Sequence, residues 1–265
     1  PVLLLDGHNL AFRSYYAVPD LANSKGFPTN ALHGWVRTIW YLQDEYQPKS
    51  THVYFDLGES ERRLAILSSY KAQREEAPDS FRKQLPVIKE ISESMGLVVK
   101  ETQNVEADDL LASDAVRYAP GEEEVLIVSA DKDFAQLLKP GIAQILPAPT
   151  ANPKVGWRKL THETVPEKYG IRPDQIVDYL ALIGDNSDNI RGMDGVGPKT
   201  AAKWLQHYGT IEELLKHCEE VTPKRFREKL DNEAGHLKEN TSLIVLDTDL
   251  PEGEARAEAA PDKLF

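Results

Sequence analysis

The sequence predicts an α/β fold, in which a mostly parallel central sheet is flanked by helices and followed by a helical region. Short runs rich in Val, Ile and Leu have the length of buried strands. Helical patterns lie between these runs, and such alternation is typical of a parallel sheet that is covered on both faces. Beyond about residue 158 the strand pattern stops, and helical pieces with turn residues follow.

The individual elements follow from these patterns in chain order. The predicted strands are residues 2–5, 51–55, 97–100, 125–129 and 142–146. Helical patterns between them include residues 31–46, 81–95 and 107–118. The helical pieces of the second half are residues 161–169, 173–183, 199–208, 211–217 and 223–230.

The change of pattern divides the chain into three parts. An α/β core is expected at residues 1–152, and a helical region at residues 153–250. Residues 251–265 are rich in Glu, Ala and Pro, which is typical of a solvated acidic tail or linker.

The composition excludes several classes of protein. The chain has 265 residues, of which 41% are hydrophobic and 28% charged, as in ordinary globular proteins. No apolar run approaches the roughly 18 residues that a membrane helix needs, so we expect no membrane partner. The single cysteine, Cys218, excludes an internal disulfide and favours a reducing compartment. We therefore expect a cytoplasmic protein and a monomer.

The net charge of −12 argues against a nucleic-acid partner, because contacts with phosphate require Lys and Arg. Net charge does not describe how the charges are distributed, however. If many of the acids gather around metal ions, the rest of the surface is closer to neutral, and basic clusters occur locally. The objection is weakened but not removed.

Acidic residues follow three of the predicted strands. Asp6 follows the first strand and Asp56 the second, while Asp131 and Asp133 follow the strand at residues 125–129. Ligands of open α/β sheets bind beyond the carboxyl ends of the strands, where these side chains would meet. A single such Asp is more often a helix cap or a turn residue, but three strand ends with the same pattern make that explanation weaker.

Two further acidic groups have short spacing. Glu106, Asp108 and Asp109 open a predicted helix, where acids are also favoured simply by the helix dipole. Asp185 and Asp188 follow an apolar helix end, and a polar loop would explain them equally well taken alone.

Together the five groups supply nine carboxylates. So many like charges in one crevice destabilise a fold unless cations neutralise them. Oxygen ligands without Cys or His spacing favour hard ions such as Mg²⁺ or Mn²⁺. Two such ions, roughly 3.5–4 Å apart, form the usual clamp in phosphodiester cleavage. The acids therefore predict a metal-dependent nuclease.

At this point the motifs resemble those of the 5′-nuclease family, which includes the nuclease domain of bacterial family A DNA polymerases, phage 5′-exonucleases and flap endonucleases. The resemblance covers residues 2–249. Its motifs, in order, are DGHNLAFR at 6–13, FD at 55–56, YKAQR at 70–74, EADD at 106–109, ADKD at 130–133, GDNSDN at 184–189 and GVGPKTA at 195–201.

The resemblance implies that all nine carboxylates serve two Mg²⁺ ions, which Mn²⁺ can replace. The first ion would be surrounded by Asp56, Glu106, Asp108 and Asp131. The second would be held by Asp133, Asp185 and Asp188, with Asp131 shared, while Asp6 and Asp109 would act through water. One departure from the family is Arg191, where bacterial relatives often have Pro.

Residues 57–85 contain no strand pattern but many charges. Six are basic, namely Arg62, Arg63, Lys71, Arg74, Arg82 and Lys83, and nearby acids almost balance them. A solvated helix of mixed charge would explain this composition. The resemblance instead implies a helical arch over the site, with Lys71 and Arg74 at the scissile phosphate and Arg82 and Lys83 on DNA. Tyr70 or Phe81 would stack on a base or pack within the arch.

The stretch at residues 195–200 nearly mimics a phosphate-binding P-loop. Pro198 stands where the P-loop requires Lys, and no strand precedes it, so nucleotide binding is excluded. Two glycines permit a tight turn, and Pro198 suits the first position of a helix. The resemblance implies a helix-hairpin-helix motif at about residues 184–208 that grips duplex DNA and holds K⁺. Its DNA-binding residues would be Gly195, Gly197, Lys199, Thr200 and Lys203, although a plain helix-helix turn remains an alternative.

The function implied by these observations is a structure-specific 5′-3′ exonuclease and flap endonuclease. Its expected substrate is DNA with a 5′ flap, a nick or a single-strand/duplex junction, including RNA-primed ends. A catalytically impaired junction-binding module is one alternative, and a smaller ribonuclease with a related sheet is another. A Toprim-type domain also combines Glu with Asp-x-Asp, but it would not explain Asp6, Asp56, Asp185 and Asp188.

Overall fold

A six-stranded sheet forms the centre of the protein in the computed structural model, which describes residues 1–149 and 151–252. Its strands are β1 (Val2–Asp6), β2 (Ser50–Tyr54), β3 (Val98–Lys100), β4 (Val125–Val128), β5 (Ile142–Leu146) and β6 (Arg158–Leu160). They lie in the order β3-β2-β1-β4-β5-β6. The first five are parallel, and β6 pairs antiparallel with β5. The predicted mostly parallel sheet is confirmed.

Helices cover both faces of the sheet because successive side chains of a strand point to opposite sides. The helices of the first half are α1 (Gly7–Ala17), α2 (Asn30–Tyr46), α3 (Glu61–Ile66), α4 (Asp79–Ser94) and α5 (Ala107–Tyr118). On β1, Leu3 and Leu5 pack in one hydrophobic cluster with Trp35 of α2. Leu4, between them, packs in the other cluster with Leu111 of α5.

The second half is helical and extends the core on the α5 side. Its helices are α6 (Val165–Tyr169), α7 (Ile176–Ile183), α8 (Pro198–Tyr208), α9 (Ile211–Lys216) and α10 (Arg227–Ile244). Their apolar faces, including Leu180, Leu205 and Leu237, belong to the same cluster as Leu111. A two-stranded ribbon, β7 (Gly184–Asp185) and β8 (Ile190–Arg191), connects α7 to the turn before α8. No helix in the described ranges has the length and apolar character needed to cross a membrane.

The structure differs from the sequence prediction at several elements, among them α1, the β7–β8 ribbon, β6 and α10. β6 lies beyond residue 152, where a helical region was expected to begin, because two of its three residues are exposed and charged and form no apolar run. The division of the chain at residues 152–153 remains a prediction. Helix α10 is also longer than the helical piece expected at residues 223–230. Of the predicted acidic tail at residues 251–265, all but the first two residues lie outside the described part of the chain.

After α10 the chain runs along α5, and we call residues 245–252 the carboxyl-terminal strap. Asp247 N donates to Asp109 near the start of α5, at 2.9 Å. Ser113 then bonds the backbone of Asp247 and of Leu250. At the far end, Glu252 pairs with Lys100 at 2.9 Å. The strap therefore runs along α5 from Asp109 to Lys100, the last residue of β3.

Candidate active site

The carboxyl edge of the sheet brings the strand-end acids together, because the parallel strands all end there. Asp6 ends β1, and its carboxylate accepts from Asn9 N at 3.1 Å, which caps α1. Its second oxygen accepts from Ser129 Oγ, just beyond β4, at 2.7 Å. Asp56 lies two residues after β2 and accepts from Ala107 N at 2.7 Å. Each acid thus also holds a neighbouring segment in place.

Three carboxylates form a compact group that suits a cation. Oxygens of Asp133, Asp185 and Asp188 all lie within 4.8 Å of one another. Oδ1 of Asp133 is buried and has no hydrogen-bond partner within the described chain. A buried, unsatisfied carboxylate oxygen is costly unless a cation or donor faces it. The donor set, made of oxygens alone, therefore fits a hard divalent ion such as Mg²⁺.

The ribbon β7–β8 places Asp185 and Asp188 beside this group. Gly184 has φ +78°, and a Cβ there would lie 2.3 Å from Gly192 N, so only glycine fits where the two strands meet. Asp185 then accepts from Ser187 N at 2.8 Å. Lys132, which lies next to Asp133 in the chain, reaches Asp185 at 3.1 Å. The tight ribbon thus delivers two acids from the helical half to the sheet edge.

The start of α5 carries a buried ion-pair network. Arg63 of α3 donates to both oxygens of Asp109, at 2.5 and 3.0 Å, and also to Glu106. Since Asp109 also accepts from the strap, both of its oxygens have protein donors. In this structure Asp109 therefore positions Arg63, and its role towards a metal through water stays a prediction.

The two cations predicted at the scissile phosphate lie at the carboxylates. Lys71 has φ +56°, its backbone N donates to Asp188 O at 3.1 Å, and its Nζ pairs with Glu106. Arg74 donates to Asp188 at 2.7 Å. The short helix α3 and the turns that follow it carry both side chains to the mouth of the site.

The aromatic residues of this segment are packed within the fold. Tyr70 is only 7% exposed, and its hydroxyl donates to Asp188 at 3.0 Å, which favours the packing alternative, while its stacking on DNA stays a prediction. Phe81 stacks on Phe12 with 4.0 Å between ring centroids, as packing within the fold. Tyr70 instead holds a carboxylate of the compact group.

The crowding of the acids raises the pKa values of several of them. Burial, opposed by bonds from Ser129 and Asn9, raises the pKa of Asp6 to about 7. Burial and neighbouring carboxylates raise the pKa of Asp108 and of Asp133 well above the usual value. Burial likewise raises the pKa of Asp131. Burial opposes ionisation of Asp185 as well, but Ser187 and Lys132 outweigh it and lower its pKa. The cluster as a whole needs added positive charge to be fully ionised.

The remaining predicted DNA-binding residues lie away from the carboxylates. Arg82 and Lys83 are exposed on α4, and Arg82 pairs with Asp79 and Glu76. The hairpin precedes and begins α8, where Gly195 has φ +80° and Gly197 caps the helix with φ −106°. Lys199, Thr200 and Lys203 follow on α8 itself. Among the described residues, none of these side chains bonds to the nine carboxylates.

Sequence reasoning missed several residues that shape the site. Arg63 looked like one of six arch cations, yet it is buried against Glu106 and Asp109. Ser129 ends a predicted strand and bonds Asp6. Lys132 lies between two of the predicted ligands, and this adjacency was the available signal for its pairing with Asp185.

Comparison with protein families gives two matches that together cover nearly the whole chain. Residues 1–170 match the model described as 5′-3′ exonuclease, N-terminal resolvase-like domain. Residues 171–262 match the model described as 5′-3′ exonuclease, C-terminal SAM fold.

Individual relatives and solved structures agree with these matches. The 5′-3′ exonuclease of Aquifex aeolicus is 40% identical over 247 residues, which are 93% of this chain and 82% of that protein. A DNA polymerase I of Thermus thermophilus is 38% identical over 250 residues, 94% of this chain but 29% of the polymerase. A bacteriophage T5 flap endonuclease, solved as a pseudo-enzyme-product complex with DNA and metal ions, superposes with a TM-score of 0.76. It is 25% identical, and the match covers 94% of this chain and 89% of the phage protein.

Proposed function

Since the chain belongs to the 5′-3′ exonuclease family and is a metal-binding nuclease that hydrolyses phosphodiester bonds, we propose that its substrates are 5′ ends, flaps and nicks in DNA. The observation that carries this proposal is the compact group of Asp133, Asp185 and Asp188, in which Asp133 Oδ1 is buried and has no hydrogen-bond partner within the described chain. Arg74 pairs with Asp188 of this group and Lys71 with Glu106, so both cations lie among the carboxylates that a phosphate would approach.

The proposed reaction uses two Mg²⁺ ions, which Mn²⁺ can replace. When bound, such ions lower the pKa of a water molecule and neutralise charge on the attacking and leaving oxygens. Asp133, Asp185 and Asp188 would hold one ion, and Asp56, Glu106, Asp108 and Asp131 the other, with Asp131 shared between the two. Attack by water on the phosphorus, in line with the leaving 3′ oxygen, gives a 5′-phosphate and a 3′-hydroxyl.

The side chains themselves bind and orient the phosphate. Lys71 and Arg74 supply positive charge that favours the more negative transition state over the bound substrate. Tyr70 and Arg63 keep Asp188 and Glu106 fixed while this happens. Lys71 now pairs with Glu106 and Arg74 with Asp188, so each must share its charge between a carboxylate and the substrate.

Duplex DNA is proposed to bind at the hairpin of residues 195–200. Gly197 has open space where a Cβ would stand, which leaves room for a phosphate to approach the backbone. Lys199 is exposed beside it, and K⁺ is the proposed ion at the hairpin carbonyls. A monomer that acts in the cytoplasm on flaps and RNA-primed ends during DNA replication and repair would use such a sequence-independent grip.

Product mapping tests the proposed function directly. A 5′-labelled flapped duplex, a nicked duplex and a blunt duplex are incubated with Mg²⁺, Mn²⁺ or Ca²⁺, and the products are sized and their ends identified. Cleavage near the junction with Mg²⁺ or Mn²⁺, leaving 5′-phosphate and 3′-hydroxyl ends, is the expected result. Binding of the flap without cleavage in either metal would instead identify a catalytically impaired junction-binding module.

A further inference from the structure

Gln144 of β5 holds the loop that carries Asp131 and Asp133. Gln144 is fully buried, and its Nε2 donates to Ser129 O at 3.0 Å and to Asp131 O at 2.6 Å. Both hydrogens of the amide are therefore bound to backbone oxygens of this loop. Asp131 in turn accepts from Asp133 N at 2.9 Å, so the position of Asp133 follows from that of Asp131. Strand β5 thus determines where the loop places its two acids.

The amide of Gln144 is explained by these two bonds and not by packing. Its Oε1 is buried and has no hydrogen-bond partner within the described chain. A buried polar atom without a partner is unfavourable, and an apolar side chain of the same size would not have one. Turning the amide over would put its oxygen against two carbonyl oxygens, so the nitrogen has to face the loop. The favourable contribution of this side chain is the attachment of the loop to β5.

Asn240 of α10 holds the ribbon β7–β8 in the same way. Asn240 is 1% exposed, and its Nδ2 donates to Arg191 O of β8 at 2.8 Å and to Ala181 O at 3.1 Å. Ala181 lies in the last turn of α7, where carbonyl groups lack a partner within the helix. His236, one turn earlier on α10, also lies 2.8 Å from Arg191 O. The ribbon is thus fixed to α10 both where it leaves α7 and where it returns.

We call Gln144 and Asn240 the bridging amides, and together they determine the spacing of the compact group. Gln144 fixes Asp133 from the sheet, while Asn240 fixes Asp185 and Asp188 from α10. Oxygens of the three acids lie within 4.8 Å of one another, where their like charges repel and would drive the two segments apart. The bonds that oppose this movement go to the backbone, so they do not occupy the carboxylate oxygens.

The spacing of the ligands matters because Mg²⁺ is less tolerant of irregular geometry than Ca²⁺. Mg²⁺ requires a nearly ideal octahedron with distances of about 2.0–2.1 Å, whereas Ca²⁺ accepts more oxygens at about 2.3–2.6 Å in flexible arrangements. Residues that only orient the ligands of a metal typically change its affinity by about 10- to 100-fold. Carboxylates held at a fixed spacing therefore favour the ion with the stricter geometry.

We propose that the bridging amides are positioning residues that set the affinity of the compact group for Mg²⁺ relative to Ca²⁺. This inference rests on the proposed function, in which the compact group holds one of the two ions. Each amide acts through the backbone of a segment that carries ligands, and neither is a ligand itself.

Ion binding in the absence of DNA tests the bridging amides. Binding of Mn²⁺ is followed by electron paramagnetic resonance, and Mg²⁺ or Ca²⁺ is added as a competitor. The binding step that disappears in Asp133→Asn is assigned to the compact group. Gln144→Met and Asn240→Leu should each weaken Mg²⁺ binding at this step by about 10-fold or more and weaken Ca²⁺ binding less, because each releases one of the two segments.

Gln175→Met is the matched control. Gln175 is also a buried amide, and its Nε2 donates to two backbone carbonyls, those of Leu205 and Gly209, both at 2.8 Å. These acceptors lie at the end of α8, which carries none of the nine carboxylates. The control should lower the melting temperature as the test variants do, and it should leave both ion affinities unchanged.

Melting curves show whether each variant is folded at the assay temperature. Gln144→Asn and Asn240→Ser, which keep a polar donor, replace any apolar variant that is unfolded and should change the affinities in the same direction. A ratio of Mg²⁺ to Ca²⁺ affinity that stays at the parent value in the folded variants, or falls equally in Gln175→Met, would overturn the proposal, whatever the parent cleaves. If Asp133→Asn loses no binding step, the compact group is not a metal site, and the observation behind the proposed function fails as well.

Discussion

Arg63 joins three segments through one buried guanidinium, which pairs with both carboxylate oxygens of Asp109, at 2.5 and 3.0 Å. The same group reaches Glu106, and its Nε donates to Leu243 O near the end of α10 at 2.8 Å. The side chains of Arg63 and Asp109 are 3% and 5% exposed. One buried side chain therefore ties the segment that carries Lys71 both to α5 and to the carboxyl-terminal helix.

Replacing Arg63 should destabilise the fold strongly. Arg63→Met removes the buried cation of Asp109 and leaves Glu106 with Lys71 alone, and loss of one partner of a buried pair costs about 3–5 kcal/mol. Urea unfolding measures the free energy of unfolding. Arg62→Met is the control, because Arg62 is partly exposed and 3.7 Å from Asp109, and an exposed pair contributes about 1 kcal/mol or less. Equal losses in both variants would contradict a structural role for the buried guanidinium.

Asp131→Asn should abolish cleavage and leave DNA binding largely intact. An amide has the shape of the carboxylate but not the charge that a site between two ions requires. Turnover is measured in Mg²⁺ and affinity in Ca²⁺, with Asp44→Asn on the exposed face of α2 as the control. Loss of a shared ligand should cost several kcal/mol in the barrier, so turnover within about tenfold of the parent would remove Asp131 from the metal site.

Lys71→Ala should slow single-turnover cleavage by roughly 10²-fold or more, with a much smaller change in affinity, because a cation aimed at developing phosphate charge acts mainly in the transition state. Arg74→Ala belongs in the same experiment, since Arg74 pairs with Asp188 beside it. Lys139→Ala controls for the loss of one positive charge. Weak binding with a normal rate would make Lys71 an ordinary backbone contact.

The stability of the metal-free protein should depend on pH through Asp6. Its pKa is about 7 in the fold, above the ordinary value of 3.8, so between these values the folded state holds more protons than the unfolded state. Stability from this group therefore falls as pH rises from about 4 to 7. His8 and His52 have lowered pKa values and act in the opposite direction. The contribution of Asp6 is therefore measured as the difference in stability between the parent and a variant without this carboxylate.

The comparison is between the parent and Asp6→Asn, both in EDTA, by thermal melting from pH 5 to pH 8. The parent should lose stability relative to the variant as pH rises, and Mg²⁺ should restore the parent most at the higher pH. A stability difference that does not change with pH would show that Asp6 titrates in its ordinary range.

The hairpin prediction concerns Gly197 and Lys199. Gly197 has an extended φ of −106°, and a Cβ would meet nothing within 4 Å, so Gly197→Val should fold normally. It should nevertheless weaken binding to junction DNA, because the side chain fills the space where a phosphate would approach. Lys199→Ala should weaken binding equally across sequences and reduce the salt slope by about one unit.

Circular dichroism and affinities at two salt concentrations check both hairpin variants. Gly195 is the unsuitable choice for such a test, because its φ of +80° would strain any other residue. Well-folded variants that bind a flapped duplex like the parent would make the hairpin a structural turn only. Lys224, Arg225 and Arg227 would then be the next candidates for the duplex grip.

The sequence predicts those features that follow from local patterns. Leu3, Leu4 and Leu5 predict a buried strand without alternation, and parallel strands necessarily bring Asp6 and Asp131 to one edge. A pattern along the chain does not show which partner a long side chain finds. The sequence around Arg63 has the mixed charge of a solvated helix, and the Arg63 side chain is nevertheless buried. Tyr70 is the same kind of case, since only the fold shows that its hydroxyl meets Asp188.

The carboxyl-terminal strap also determines where anything attached after residue 252 begins. Its hydrogen bonds follow α5 from Asp109 to Tyr118, and at about 1.5 Å per residue this path carries the chain roughly 14 Å from the start of α5. A fluorophore or an affinity tag attached beyond the strap would therefore start from a segment held by Lys100 and Tyr118. Because Glu252 bonds these two residues and none of the nine carboxylates, such a label would not be anchored on the acids themselves, which recommends it for single-molecule cleavage measurements.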